Sequence, residues 1–348
     1  MTTPTTRSRF TLRLHLLAAV VALVATGFVA AAHATASTKV DGVRAALKKG
    51  TLRVQGGDGG QQVSVRLKAG DAGTIQVDAG DNGSADFSFD RADVDAIRVK
   101  MGDGSDRARI DDSNGAFTNT IPTTLSGGDG NDTLEGGQTQ VAAENETFRA
   151  GDGNDLVDGG KGNDTAYLGS GNDTFRWDNG EGSDTIEGQD GTDTMVFNGA
   201  PGTDTVTISP NNGRLKFFRV QGTVTMDTND VEIVDDNPLT GQDSVTVNDL
   251  AGTDVVQTNL DLAATAGGSV ADTVADTVNV NGTNGDDNIN VTGNGSGADV
   301  TGLASAVSVT HADPTSNPTF DSLSIDTLVG TDHVAQNGVA GLIQLQVL

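Results

Sequence analysis

The chain has 348 residues, 47 of them glycine and none cysteine, with 35% hydrophobic and 4% aromatic residues. So few large side chains exclude a thick globular interior, and the lack of cysteine excludes disulfide staples and thiol nucleophiles. With 48 acidic against 21 basic residues the net charge is −27, a balance that favours cations as partners and argues against nucleic acid or anionic membrane surfaces.

Residues 1–34 have the layout of a secretory signal. Arg7, Arg9 and Arg13 form the basic start, "LHLLAAVVALVATGFVAA" the apolar stretch, and Ala32–Ala34, "AHA", an A-x-A cleavage site. The alternative is an uncleaved anchor helix, since the apolar run approaches the length of a membrane span. Either way the remainder is expected outside the cytoplasm, secreted or extracellular. Cleavage leaves 18 basic and 48 acidic residues, a net charge of −30. No other long apolar segment follows, so no membrane insertion is expected once the signal is gone.

Residues 35–100 alternate apolar and polar positions in short runs such as "TLRVQ", "QQVSVRLKAG" and "ADFSFD", punctuated by Gly and Asp. They predict a β-rich N-terminal region of strands and turns. "GDGSD" at 102–106 approaches the motif that follows but reads as a structural turn.

Residues 101–206 hold a repeat. "GGDGNDTLE" (127–135), "AGDGNDLVD" (150–158), "GGKGNDTAY" (159–167) and "LGSGNDTFR" (168–176) vary one nonapeptide, G-G-x-G-x-D-x-U-x with U apolar, a pattern associated with calcium-binding β-solenoids. "NGEGSDTIE" and "GQDGTDTMV" continue it, and "GAPGTDTVT" is a weaker copy. A decayed copy, "AENETFR", puts Glu146 nine residues before Asp155, with Val141, Ala142 and Glu144 where glycines belong. Glycines permit a tight turn with carbonyls drawn together, and the last three residues make a short strand whose U side chain points inward. If each nonapeptide is half a coil, Asp155 stacks on Asp173 and Glu146 on Asp164. Carboxylates so stacked repel unless a hard cation takes about six to eight oxygens from successive layers. Calcium suits such a cage better than magnesium or zinc.

These residues resemble the RTX, or hemolysin-type, calcium-binding repeats of secreted bacterial proteins. The resemblance implies an all-β chain, a right-handed parallel β-roll (β-solenoid) with flanking β-rich segments, and Ca2+ as its cofactor. It further implies metal roles for Asp132, Asp155, Asp164, Asp173, Asp184 and Asp193. Asp204 departs from the pattern, because two residues are inserted and Pro201 interrupts the turn.

Residues 207–348 form a C-terminal β-rich region, with "SVTVNDL", "DTVNVNGTNGDDNINV" and "AVSVTH" as strands. The Asp286 and Asp287 turn there reads as a self-satisfied Asx turn rather than an ion site. The two flanks fit either a continued solenoid or separate sandwich-like modules.

The motifs of catalysis are missing. There is no H-E-x-x-H and no G-x-S-x-G. His311 and His333 lie far apart in sequence, and the sole Trp and sole Tyr, Trp177 and Tyr167, adjoin U positions and read as packing residues rather than a sugar platform. No catalytic residue is assigned. The expectation is a non-catalytic, secreted calcium-binding protein, structural or adhesive, with cell-surface or matrix components as further partners. The alternative is an extracellular hydrolase acting on polysaccharide or ester, with the repeats as an accessory module.

Overall fold

A computed structural model describes residues 39–138, 145–316 and 320–348. The signal segment, and Val141, Ala142 and Glu144 of the decayed repeat, lie outside the described residues.

Among the described residues there are 28 β-strands and two short 3-10 turns, and no α-helix. The strands fall into two sheets of fourteen. Through the repeats each sheet takes alternate strands: Thr123–Asp129, Glu146–Asp152, Thr165–Gly171 and Thr185–Gly191 in one, Thr133–Glu135, Leu156–Asp158, Thr174–Trp177 and Thr194–Asn198 in the other. All of these pair in parallel. Parallel neighbours cannot be joined by a tight hairpin. Here each glycine turn carries the chain across to the opposite sheet, so consecutive strands in one sheet belong to successive coils of a β-roll.

The strict alternation of burial along each strand sends one face inward. Register divides the apolar U residues into two columns. Phe148, Ala166 and Ile186 are in line in one sheet, and Leu134, Val157, Phe175 and Met195 in the other. All seven are fully buried. Between the sheets they form one narrow continuous core, which is how a chain poor in aromatics buries enough apolar surface.

Pairing crosses the edges of the repeat segment without a break, through Val99↔Leu125 on one side and Val206↔Val245 on the other. The flanks therefore continue the same two sheets rather than forming separate sandwiches. They differ in inserting antiparallel strands, as in Gln62–Lys68 with Asp71–Ala79, and Ala298–Thr301 between Asn288–Gly293 and Ala306–Thr310. One insertion bears on the site. Arg214–Arg219 and Val224–Asn229 wedge between Thr185–Gly191 and Thr205–Asn211 in one sheet only. The space is filled by aromatics: Trp177 stacks on Phe197 at 4.0 Å and 3°, and Phe197 meets Phe217 at 4.3 Å.

Candidate metal centre

The repeat aspartates stand where each turn enters its strand, and the two edges of the roll carry separate rows. Along one edge, Asp106 N–H donates to Asp132 Oδ1 (2.8 Å), Asp132 N–H to Asp155 Oδ1 (2.7 Å), Asp155 N–H to Asp173 Oδ1 (2.7 Å) and Asp173 N–H to Asp193 Oδ1 (2.9 Å). Asp193 N–H then donates to Glu232 Oε2. Along the other edge, Glu146 N–H donates to Asp164 Oδ1 (2.6 Å) and Asp164 N–H to Asp184 Oδ1 (2.8 Å). The six predicted residues thus divide into Asp132, Asp155, Asp173 and Asp193 on one side, and Asp164 and Asp184 on the other.

Only one oxygen of each carboxylate is used in this way. The Oδ2 atoms of Asp106, Asp132, Asp155, Asp164, Asp173, Asp184 and Asp193 are buried without a hydrogen-bond partner. An unpaired buried charge is among the most costly features a fold can carry, and five along one edge with two along the other call for cations. Where the first residue of the repeat is glycine, as at Gly127 and Gly188, it leaves the space for one; Ala150, Leu168 and Asn179 hold that position in the repeats of Asp155, Asp173 and Asp184. A Cβ at Gly127 would overlap Asp132 Oδ2 and come within 2.6 Å of the Ala150 carbonyl oxygen of the next layer. A Cβ at Gly188 would stand 2.5 Å from Asp193 Oδ2 and overlap the Asp230 carbonyl oxygen. Carboxylate and carbonyl oxygens thus converge around space left by a missing side chain. Such an all-oxygen donor set fits a hard divalent ion of variable coordination, calcium above all. When bound, the ion would supply the positive charge these layers lack.

The electrostatics agree with the geometry. Burial pushes the Asp155 carboxyl up to about 7, with Asp173, Asp132 and Asp152 adding to it. Burial likewise pushes Asp132 and Asp193 up to about 6. Asp164 is raised by burial and then by Glu146 and Asp184, and Asp184 by burial and then Asp158.

A second ladder runs beside the first in the opposite sense. Asn154 N–H donates to Asn131 Oδ1, Asn172 N–H to Asn154 Oδ1 and Thr192 N–H to Asn172 Oδ1, at 2.9–3.0 Å. Asn163 and Asn145 do the same on the other edge. Each layer is therefore tied to the next by two bonds of opposite direction, one to Asp and one to the Asn before it. The recurring "ND" of the repeat carries that signal, and the sequence reading passed over its Asn.

Sequence reasoning also missed aspartates outside the nonapeptides. Asp106, read as part of a structural turn, belongs to the first row. Beyond the repeats, Asp204 N–H donates to Asp243 Oδ1, Asp243 N–H to Asp276 Oδ1 and Asp276 N–H to Asp321 Oδ1, at 2.6–2.7 Å. The signal is a five-residue remnant, "DTVTI", "DSVTV", "DTVNV" and "DSLSI" at 204, 243, 276 and 321, which matches "DTFRW" and "DTMVF" of the repeats once the glycine turn is ignored. Not every acidic turn is a metal cradle. Both oxygens of Asp287 are taken by Thr283 (2.9 Å each). Those of Asp204 are taken by Ala200 N–H and the buried Arg219 guanidinium. Asp158, Asp178 and Glu181 place carboxylate oxygens within 4.8 Å of one another, but Arg176 already lies against Asp158 and Asp178.

Comparison with known families finds the RTX calcium-binding nonapeptide repeat (4 copies) at residues 123–138, 142–175 and 180–206. No curated protein and no solved structure matches the chain. Residues 123–206 are RTX calcium-binding repeats, and they form the β-roll at the centre of this all-β chain.

Proposed function

We propose that this is an exported, non-catalytic protein whose β-roll is completed by calcium, and that it serves as a structural or adhesive element at the cell exterior. The observation that carries the reading is the succession of buried Oδ2 atoms without partners, those of Asp132 and Asp193 facing carbonyl oxygens across glycine-sized gaps. Asp132, Asp155, Asp173 and Asp193 on one edge, and Asp164 and Asp184 on the other, are the residues assigned to the ions. Export agrees with the signal-like residues 1–34, and with an acidic chain that would gain its cations where calcium is abundant.

The test is calorimetric calcium titration of the purified exported protein, with melting followed by circular dichroism in calcium and in EDTA. Calcium uptake with a large rise in melting temperature is expected. An equal melting temperature in EDTA would sink the reading. Turnover of any member of a polysaccharide and ester panel would favour the hydrolase alternative instead.

A further inference from the structure

Net charge conceals an asymmetry. Arg44, Lys48, Arg53, Arg98, Lys100 and Arg149, six of the chain's 21 lysines and arginines, all sit on the outward positions of one sheet near its N-terminal end. Register brings them together: Ala46↔Arg53, Arg53↔Arg98, Gln55↔Lys100, Lys100↔Ser126 and Ser126↔Arg149. Apart from Asp103, Asp129 and Asp152 at the strand ends, no exposed residue of Arg44–Lys48, Thr51–Gln55, Ala96–Asp103, Thr123–Asp129 and Glu146–Asp152 is acidic. Arg66, Arg107, Arg109, Arg176, Arg214 and Arg219 are each paired with Asp or Glu. None of the six on this face makes an ion pair among the described residues.

Folding gains nothing from this arrangement. Arg53 and Arg98 face each other across adjacent strands at about 4.8 Å, and like charges directly opposite destabilise a sheet. A chain with 48 carboxylates could have neutralised them. Instead four of the six, Arg53, Arg98, Lys100 and Arg149, border an open groove of about 470 Å³, interspersed with Gln55, Thr124 and Ser126.

We propose that this groove binds a linear anionic polysaccharide carrying carboxylates on its sugar rings. This rests on the exported, adhesive reading above and names its ligand. Guanidinium forks match carboxylate geometry, and the hydroxyls and amide between them suit sugar hydroxyls. Tyr167, the neighbouring aromatic, has one face covered by the Arg149 guanidinium at 4.4 Å, which reduces the surface it offers for stacking nucleic-acid bases. Exposed Asp103, Asp129 and Asp152 line the ends of the same strands. They admit a narrow chain but repel a broad anionic surface such as a duplex or a bilayer.

The experiment is calorimetric titration of the calcium-loaded full chain with octagalacturonate. Malto-octaose, a single-stranded oligonucleotide and phosphatidylserine vesicles are the comparisons. Salt-sensitive binding of octagalacturonate alone is expected, weakened by roughly tenfold or more in Arg53→Ser/Arg98→Ser/Arg149→Ser. These three side chains are exposed and without ion pairs, so circular dichroism and calcium uptake should match wild type. Should the triple variant fail to fold, Lys100→Gln alone is expected to weaken binding. No binding, binding undiminished in the variants, or preference for the oligonucleotide or vesicles would overturn the proposal. Because calcium uptake is measured on the same samples, a calcium-stabilised protein that ignores octagalacturonate refutes this inference and leaves the calcium reading intact.

Discussion

Asp155→Asn should stabilise the calcium-free protein and lose that advantage when calcium is present. Asp155 lies mid-row: its Oδ1 accepts Asp132 N–H at 2.7 Å, its own N–H donates to Asp173 Oδ1 at 2.7 Å, and its Oδ2 has no partner. Asparagine retains an oxygen for Asp132 and removes the charge. In the calcium-free fold that charge is a burden, because burial raises the carboxyl from 3.8 to about 7. At about 1.4 kcal/mol per tenfold change in proton affinity, this costs about 4 kcal/mol at pH 7, and solvent reaching the open turn screens it to about 2 kcal/mol. With calcium at ten times its dissociation constant, each ion contributes about 1.4 kcal/mol, so weakening the ions above and below Asp155 costs about 2 kcal/mol. The variant should therefore melt roughly 4 °C above wild type in EDTA, whereas in calcium the two effects offset each other and it should melt within about a degree of wild type. Trp177, the sole tryptophan, is fully buried against Phe197 and reports the transition by fluorescence. An equal shift in both buffers would refute the reasoning.

Gly151→Ala places a Cβ at φ +127°, overlapping the Gly128 carbonyl oxygen and 2.9 Å from its carbon. Backbone strain and overlap together should cost about 3 kcal/mol or more, and a melting temperature within a degree of wild type in calcium would contradict the close stacking of glycine turns. In EDTA the fold should weaken as pH rises. Asp132, Asp155 and Asp193 hold protons up to about 6 or 7 in the folded chain, whereas unfolded aspartates release them near 3.8. Stability is thus greatest below about pH 4 and falls through pH 7, by about 1.4 kcal/mol per pH unit for each proton involved. Calcium should abolish that slope by taking the protons' place, and melting temperatures in EDTA that rise from pH 5 to pH 8 would show the sign to be wrong. Arg219→Met should destabilise by about 3–5 kcal/mol, as removing one partner from a buried ion pair does. Unlike Asp155→Asn, which stabilises the protein in EDTA, it should destabilise in EDTA and in calcium alike, and differential melts of the two variants separate the cases.

The nonapeptide fixes glycine turn, Asp and inward apolar residue in nine consecutive positions, so Asp155 over Asp173 and the buried Val157 and Phe175 follow from counting. The flanks obey the same stacking with irregular intervals: 39 residues separate Asp204 from Asp243 and 45 separate Asp276 from Asp321. Inserted strands and loops absorb the difference, and no fixed period survives to be read. The hydrogen-bonded rows depend on the Asp at the strand entrance, whereas the glycines only make the turn compact. Asp243, Asp276 and Asp321 keep the first without the second, which is why a template that requires both misses them. The basic groove is hidden for another reason. Arg53, Arg98 and Arg149 are scattered over about a hundred residues of an acidic chain, and only parallel register places them side by side.

The seam at the end of the repeats shows what the roll does when an ion is replaced. The wedge of Arg214–Arg219 and Val224–Asn229 separates the Asp184 turn from the Asp204 turn, so no cation can be shared between those two layers through stacked aspartates. Arg219 enters the gap instead. Its guanidinium donates to Asn179 Oδ1 of the earlier turn and Asp204 Oδ1 of the later one, and lies 5.7 Å from the Trp177 ring. It ties two layers by neutralising a carboxylate, which is the task assigned to calcium in the repeats, and it does so with a charge that chelation cannot remove. The inward-facing Asp236, whose oxygens have no hydrogen-bond partner, is raised by burial and by Asp204 and Asp243, with Arg219 opposing the shift. A covalently held cation at this point parts the row of Glu146, Asp164 and Asp184 from that of Asp204, Asp243, Asp276 and Asp321, while the row on the other edge passes on from Asp193 to Glu232. Unfolding that begins among the calcium turns of residues 127–193 meets a barrier here that does not depend on calcium, so the C-terminal coils should keep their strands at calcium concentrations that melt the repeats.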